Sequence, residues 1–114
     1  MVEKTIFGKI IDGEIPADVV YDDDRAMAFR DIDPKAPTHV LIIPKQPIPT
    51  VDDVTEADES VVGHLFVVAG KVAEKLGVVG QYRLVVNCGE AAGQEVMHLH
   101  LHMLAGRPMT WPPG

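Results

Sequence analysis

Positive charge is scarce in this chain. Ten lysines and arginines stand against seventeen aspartates and glutamates, a formal net charge of −7. That deficit excludes the broad basic surface that nucleic-acid binding needs, though not a small anionic ligand held by local donors. Cysteine is scarcer still. Cys88 is the one thiol in 114 residues, so no internal disulfide can form, and a reducing, cytoplasmic compartment is expected. Long hydrophobic runs are missing, because no stretch approaches the ~20 apolar residues of a membrane span. Residues 1–5 (Met-Val-Glu-Lys-Thr) lack the charged-then-apolar order of a secretory leader. The chain has no repeat and no low-complexity segment, and neither a membrane nor a nucleic acid is expected as a partner.

What is present is ordinary for a globular fold. At 46% hydrophobic and 24% charged residues, residues 1–114 are expected to form one domain with its own core. Residues 5–13 predict a short helix, with Ile6, Phe7, Ile10 and Ile11 at helical spacing, Gly13 as a stop and Pro16 beyond it. Residues 18–22 predict a strand. Asp22-Asp23-Asp24 then reads as a solvated turn rather than a cation site, since no further carboxylates follow at calcium-loop spacing. Strands are predicted over residues 26–32 and 38–44, joined by the rigid Asp33-Pro34-Lys35-Ala36-Pro37 loop. Prolines 44, 47 and 49 keep the next segment extended and poorly pairing.

Thr55 is the expected N-cap of the main helix, with Asp58 completing a weak capping box and Gly77 ending it. Val61, Leu65, Val68, Val72 and Leu76 form one apolar stripe, and Val62, Phe66, Ala69 and Ala73 a second beside it. That face is wider than one sheet needs, which points to a second subunit. His64, alone on this helix, reads as structural. Residues 81–87 predict a strand, with Cys88 an inert small residue at its end. Trp111 lies in a tail too apolar to be a solvated end and is expected to dock. Short loops favour antiparallel pairing, giving an α+β domain of about five strands with a helix on the apolar face.

The distinctive stretch is His98-Leu99-His100-Leu101-His102-Met103-Leu104. As a strand it places the three histidines on one face and Leu99, Leu101 and Met103 on the other. Folding does not require histidine here. Three readings compete. A metal site would need a third ligand, and His98 and His102 would stand roughly 13 Å apart on a straight strand. Buried structural histidines are a second reading. The third is catalysis: a neutral imidazole is a good nucleophile near neutral pH. Beside it, the Gly-rich turn over residues 89–95 could offer amides to an anion. That pairing suits phosphoryl or nucleotidyl transfer.

The chain resembles the histidine-triad (HIT) superfamily, and within it the histidine-triad nucleotide-binding branch. The resemblance is carried by the triad and by Ile6-Phe7-Gly8-Lys9-Ile10-Ile11, Glu14-Ile15-Pro16-Ala17, Ala28-Phe29-Arg30-Asp31-Ile32, Ala36-Pro37-Thr38-His39, Ile43-Pro44-Lys45, Gly93-Gln94 and Trp111-Pro112-Pro113-Gly114. It implies a five-stranded antiparallel sheet with two helices, dimerising into a ten-stranded sheet. It further implies two-step hydrolysis of purine nucleoside phosphoramidates, such as adenosine or guanosine 5'-monophosphoramidates, without metal or cofactor.

By the same resemblance His100 attacks phosphorus, His102 contacts the phosphate, and His98 with His39 forms the supporting hydrogen-bond chain. Asp31 holds the ribose hydroxyls. Phe7, Ile10, Ile15, Phe29 and Ile32 sandwich the purine. Asn87 and the turn Gly93, Gln94, Glu95 and Val96 bind ribose and phosphate. Glu95 departs from the pattern, because related eukaryotic amidases carry serine there. A carboxylate at that place repels a phosphate unless it points away or is protonated. A purine-nucleotide-binding regulatory protein with weak or no catalysis is the alternative. Cleavage of dinucleoside polyphosphates is a third possibility, against which the Trp-Pro-Pro-Gly ending argues.

Overall fold

The computed structural model describes residues 4–114. Met1, Val2 and Glu3, on which the no-leader expectation partly rests, lie outside them. Helix α1 (Ile6–Ile11) starts where Thr5 Oγ1 accepts the Gly8 N–H at 3.1 Å. Its end is held by Lys4, which bridges Asp12 and Glu14. Strands β1 (Val19–Asp22) and β2 (Ala26–Arg30) form a hairpin whose turn is closed by Asp23, with Oδ1 accepting the Arg25 and Ala26 N–H groups at 2.8 Å. This is the expected turn. Strand β3 (Thr38–Pro44), helix α2 (Glu59–Leu76), β4 (Tyr82–Val85) and β5 (Leu101–Ala105) complete the elements. The sheet is antiparallel throughout, in the order β1-β2-β3-β5-β4. The five strands and two helices are those expected, and β5, which carries His102, lies inside the sheet.

The sheet has two unlike faces because side chains alternate along each strand. On one, Val40, Ile42, Leu99, Leu101 and Met103 pack under Leu65, Val68, Ala69, Val72 and Ala73 of α2. On the other, Met27, Phe29, Leu41 and Ile43 pack on Phe7 of α1. Both histidine-bearing segments turn their imidazoles to this second face, which α1 covers only in part. Burying each such large apolar side chain contributes about 1.5–3 kcal/mol. The second stripe of α2 is only partly used: Ala69 and Ala73 are buried, while Phe66 and the neighbouring Val67 are more than half exposed.

Several expected boundaries shift, each for a local reason. Thr55 caps a single 3-10 turn (Glu56–Asp58), not α2 itself. The Asp58 carboxylate turns back to accept the Thr55 N–H at 2.9 Å and the Gln46 amide at 2.9 Å, which tightens the chain before the α pitch begins at Glu59. Strand β4 ends at Val85, two residues before Asn87, and β2 ends at Arg30. The histidine strand begins at Leu101, not His98, because the Leu99 N–H donates to Ile48 O at 2.7 Å instead of to a neighbouring strand. Trp111 does not dock on the described chain; it is 82% exposed.

Candidate active site

The hydrogen bonds around the four histidines on the second face fix where each ring carries its proton. A backbone N–H can only donate and a carbonyl can only accept. The Lys35 N–H donates to His39 Nδ1 at 3.0 Å, so neutral His39 is protonated on Nε2. That Nε2–H donates to His102 Nδ1 at 2.9 Å, which leaves the His102 proton on Nε2, free for a ligand. Asp31 Oδ2 stands 3.5 Å from the same His39 nitrogen and reinforces its proton. His98 donates Nε2–H to Pro44 O at 2.7 Å. His100 donates Nδ1–H to His98 O at 2.7 Å. Its Nε2 therefore carries a lone pair, and among the described residues no group takes it.

The surroundings keep these rings neutral. Burial holds His39, His98 and His100 below the ordinary imidazole value, against the opposing pull of Asp31 on His39 and His100 and of the carbonyl bonds on His98 and His100. His102 is lowered to about 4, by burial first and then by the like charges that His100 and His39 would carry. Phe7 supports this packing edge-to-face, with ring centroids 5.1 Å from His100 and 6.0 Å from His98. The His100 and His102 rings lie 4.9 Å apart. A nucleophilic lone pair and an N–H donor thus sit side by side, a fit for attack on an anionic phosphorus centre.

Donor atoms of Asp31, His39 and His102 all lie within 4.8 Å of one another, the spacing of a metal cluster. The tautomers oppose that use. His39 Nε2 holds its proton because Nδ1 is occupied by the Lys35 N–H. A metal at Nε2 would leave an anionic ring, where ligating histidines ordinarily donate their other nitrogen to an acceptor. The trio instead carries a fixed proton order, from the Lys35 N–H through His39 to His102.

The remaining predicted residues divide. The expected link between His98 and His39 is absent: His39 pairs with His102, while His98 is tied to the end of β3. Phe7 and Phe29 are buried, 5.4 Å apart, with Ile10 and Val96 packed beside them. Ile15 is half-buried. Ile32 is 97% exposed at the rim. Asn87 lies against Gly93, whose φ of +97° a side chain would strain. The Gln94 side chain is buried and fully used, accepting from Gly89 N–H and donating to Pro49 O and Val96 O. It can offer a ligand only its backbone. Glu95 is exposed in a cleft of about 410 Å³ with Glu90, Gly93, Gln94 and Met97. Missing from the expectation were the main-chain groups of Lys35, Pro44 and His98, which carry no side-chain signal in a sequence.

A family profile described as the HIT domain matches residues 12–109. The chain belongs to the HIT domain family. A HIT-like protein of Synechocystis sp. is 54% identical over 114 residues, covering 100% of both chains. The crystal structure of a HIT family hydrolase from Legionella pneumophila has a TM-score of 0.94 at 51% identity, covering 97% of this chain and 100% of that one. A histidine triad nucleotide-binding protein from Candida albicans superposes with a TM-score of 0.82 at 30% identity, covering 96% of this chain and 83% of that one. Similarity to HIT proteins thus extends over nearly the whole chain. Among the described residues no helix is long and apolar enough to cross a membrane.

Proposed function

We propose that this HIT protein is a purine nucleoside phosphoramidase working through a nucleotidyl-histidine intermediate. The observation that carries this reading is the His100 tautomer, with Nδ1–H locked on His98 O and the Nε2 lone pair open. In the first step Nε2 attacks the α-phosphorus of an adenosine or guanosine 5'-monophosphoramidate. The P–N bond breaks and the amine leaves, taking a proton from water. In the second, water displaces His100 and releases the monophosphate. His102 Nε2–H, ordered by His39, donates to a phosphate oxygen as charge develops. Asp31 meets the ribose hydroxyls. Ile32 and Ile15 face the purine, with Ile10, Phe7 and Phe29 beneath. Asn87 and the backbone of the turn over Gly93, Gln94, Glu95 and Val96 bind ribose and phosphate. The names of the Legionella and Candida proteins, a hydrolase and a nucleotide-binding protein, support the two halves of the reading. The chemistry uses no metal and no cofactor.

The working form in this reading is a cytoplasmic homodimer. Strand β4 is an open edge of the sheet, and Phe66, Val67 and Trp111 are exposed apolar groups that a second copy would cover. The exposed Glu95 and Glu90 favour one competing reading, nucleotide binding with little turnover, because they set negative charge beside the phosphate. Incubation with adenosine phosphoramidate separates the two. Many equivalents of adenosine monophosphate per chain are expected. Nucleotide binding without release would overturn the enzymatic reading.

A further inference from the structure

We infer that the turn Gly106–Arg107, which lies outside the triad, is a positioning clamp for the His39–His102 relay. The clamp begins at Lys35. Its N–H is the group that makes His39 Nδ1 an acceptor and so places the proton on Nε2, facing His102. That N–H belongs to the exposed loop between β2 and β3, where nothing regular in the sheet would hold it. The loop is held from the far side. Arg107 Nη2 donates to Lys35 O at 3.2 Å, while its Nη1 donates to Pro108 O at 3.3 Å, which braces the guanidinium against its own turn. Residue 35 is thereby gripped at both ends, by His39 on its amide and by Arg107 on its carbonyl.

Gly106 completes the clamp. A Cβ there would sit 2.7 Å from the Pro37 side chain, and its φ is +94°. The turn can press on the loop only because residue 106 has no side chain. Releasing the clamp lets the Lys35 amide rotate away. His39 then exchanges tautomers, and in the Nδ1–H form its Nε2 lone pair faces the His102 Nδ1 lone pair. The ordered donor at His102 Nε2 is lost. Arg107 touches neither ring and acts through the backbone of residue 35, whose carbonyl it holds while the preceding peptide presents the N–H to His39.

The test is imidazole nitrogen NMR on isotopically labelled protein at neutral pH, joined to kinetics. In the unaltered chain His39 should show a protonated Nε2 and an unprotonated Nδ1. In Arg107→Ala the two His39 signals should move toward each other as tautomers average, and those of His102 should follow. Resting on the phosphoramidase reading, kcat should fall about tenfold with KM nearly unchanged. Arg107→Lys, which keeps one donor, should restore most of both. Gly106→Ala should give the same signature more strongly. Arg107 is exposed, so the fold should survive; if the unfolding midpoint of Arg107→Ala collapses, Arg107→Met, which keeps the stem and removes the donors, carries the test with the same expected signature. Unchanged His39 signals in Arg107→Ala and Gly106→Ala would overturn the clamp, whatever the turnover. Because the spectrum needs no substrate, absent turnover with the expected signature would count against the phosphoramidase reading and not against the clamp.

Discussion

Histidine is used in two ways on the two sides of this sheet. On the side of α2, His64 donates Nε2–H to Asp23 at 2.6 Å, and its Nδ1 accepts from Arg25 at 3.2 Å. Tyr21 donates to the same Asp23 oxygen at 2.6 Å, and these bonds with two backbone amides hold the Asp23 carboxyl well below the usual carboxylate range despite its burial. Both nitrogens of His64 are spent, and the ring pins the β1–β2 turn to the helix. On the other side His100 spends one nitrogen on a carbonyl and keeps the other. The lesson is that reactivity follows from what the neighbours leave unpaired. Charged side chains anchor the structural ring. Main-chain groups, which do not titrate, set the tautomers of His39, His98 and His100, and His39 in turn sets that of His102.

The sharpest way to break this comparison is to remove each ring in turn. His100→Ala should lower turnover on adenosine phosphoramidate by at least ~10⁴-fold while leaving the unfolding midpoint near that of the parent. His64→Ala should do the reverse, costing about 1–2 kcal/mol in chemical denaturation with turnover intact. Next in size is His39→Ala, which removes the donor that orders His102. A loss in kcat of about 100-fold is expected, the scale of a misplaced catalytic group, and steady-state kinetics read it directly. Glu95→Ser should have a smaller effect, raising turnover about 2–5-fold, the scale of an exposed charge interaction. A fall would contradict the proposed repulsion.

The reactive side also leaves a mark on stability against pH. His102 is lowered from 6.5 to about 4 in the folded chain, so the unfolded chain takes up its proton first. Its contribution is therefore fully present above the free imidazole value and is lost as pH falls from there toward about 4. Thermal midpoints measured between pH 7.5 and 4.5 should fall, and His102→Gln should fall less steeply.

Much of the fold was legible because it rests on periodicity. Val40 and Ile42 alternate with His39 and Leu41, and Leu99, Leu101 and Met103 do reach the core beneath α2. The excess width of the α2 face was legible too, and Phe66 shows it as exposed surface. What stayed hidden depended on backbone placement. Alternation predicts which side His98 faces, but not that the strand starts three residues later or that its ring bonds to Pro44 O. Nothing in the order of residues places the Lys35 amide on His39 or Arg107 on the Lys35 carbonyl. Gln94 is the converse case, a polar side chain in the candidate binding turn whose hydrogen bonds are all internal. Such features depend on how distant segments meet, which local pattern does not encode.

The proposed chemistry turns on the lone pair of His100, and a chemical trap tests it most directly. The protein is mixed with adenosine phosphoramidate, quenched within one turnover and analysed by peptide mass spectrometry. An adenylyl group on the peptide containing His98, His100 and His102 is expected, localised by fragmentation to His100 and absent from His100→Ala. Turnover with the adduct on another residue would contradict the account.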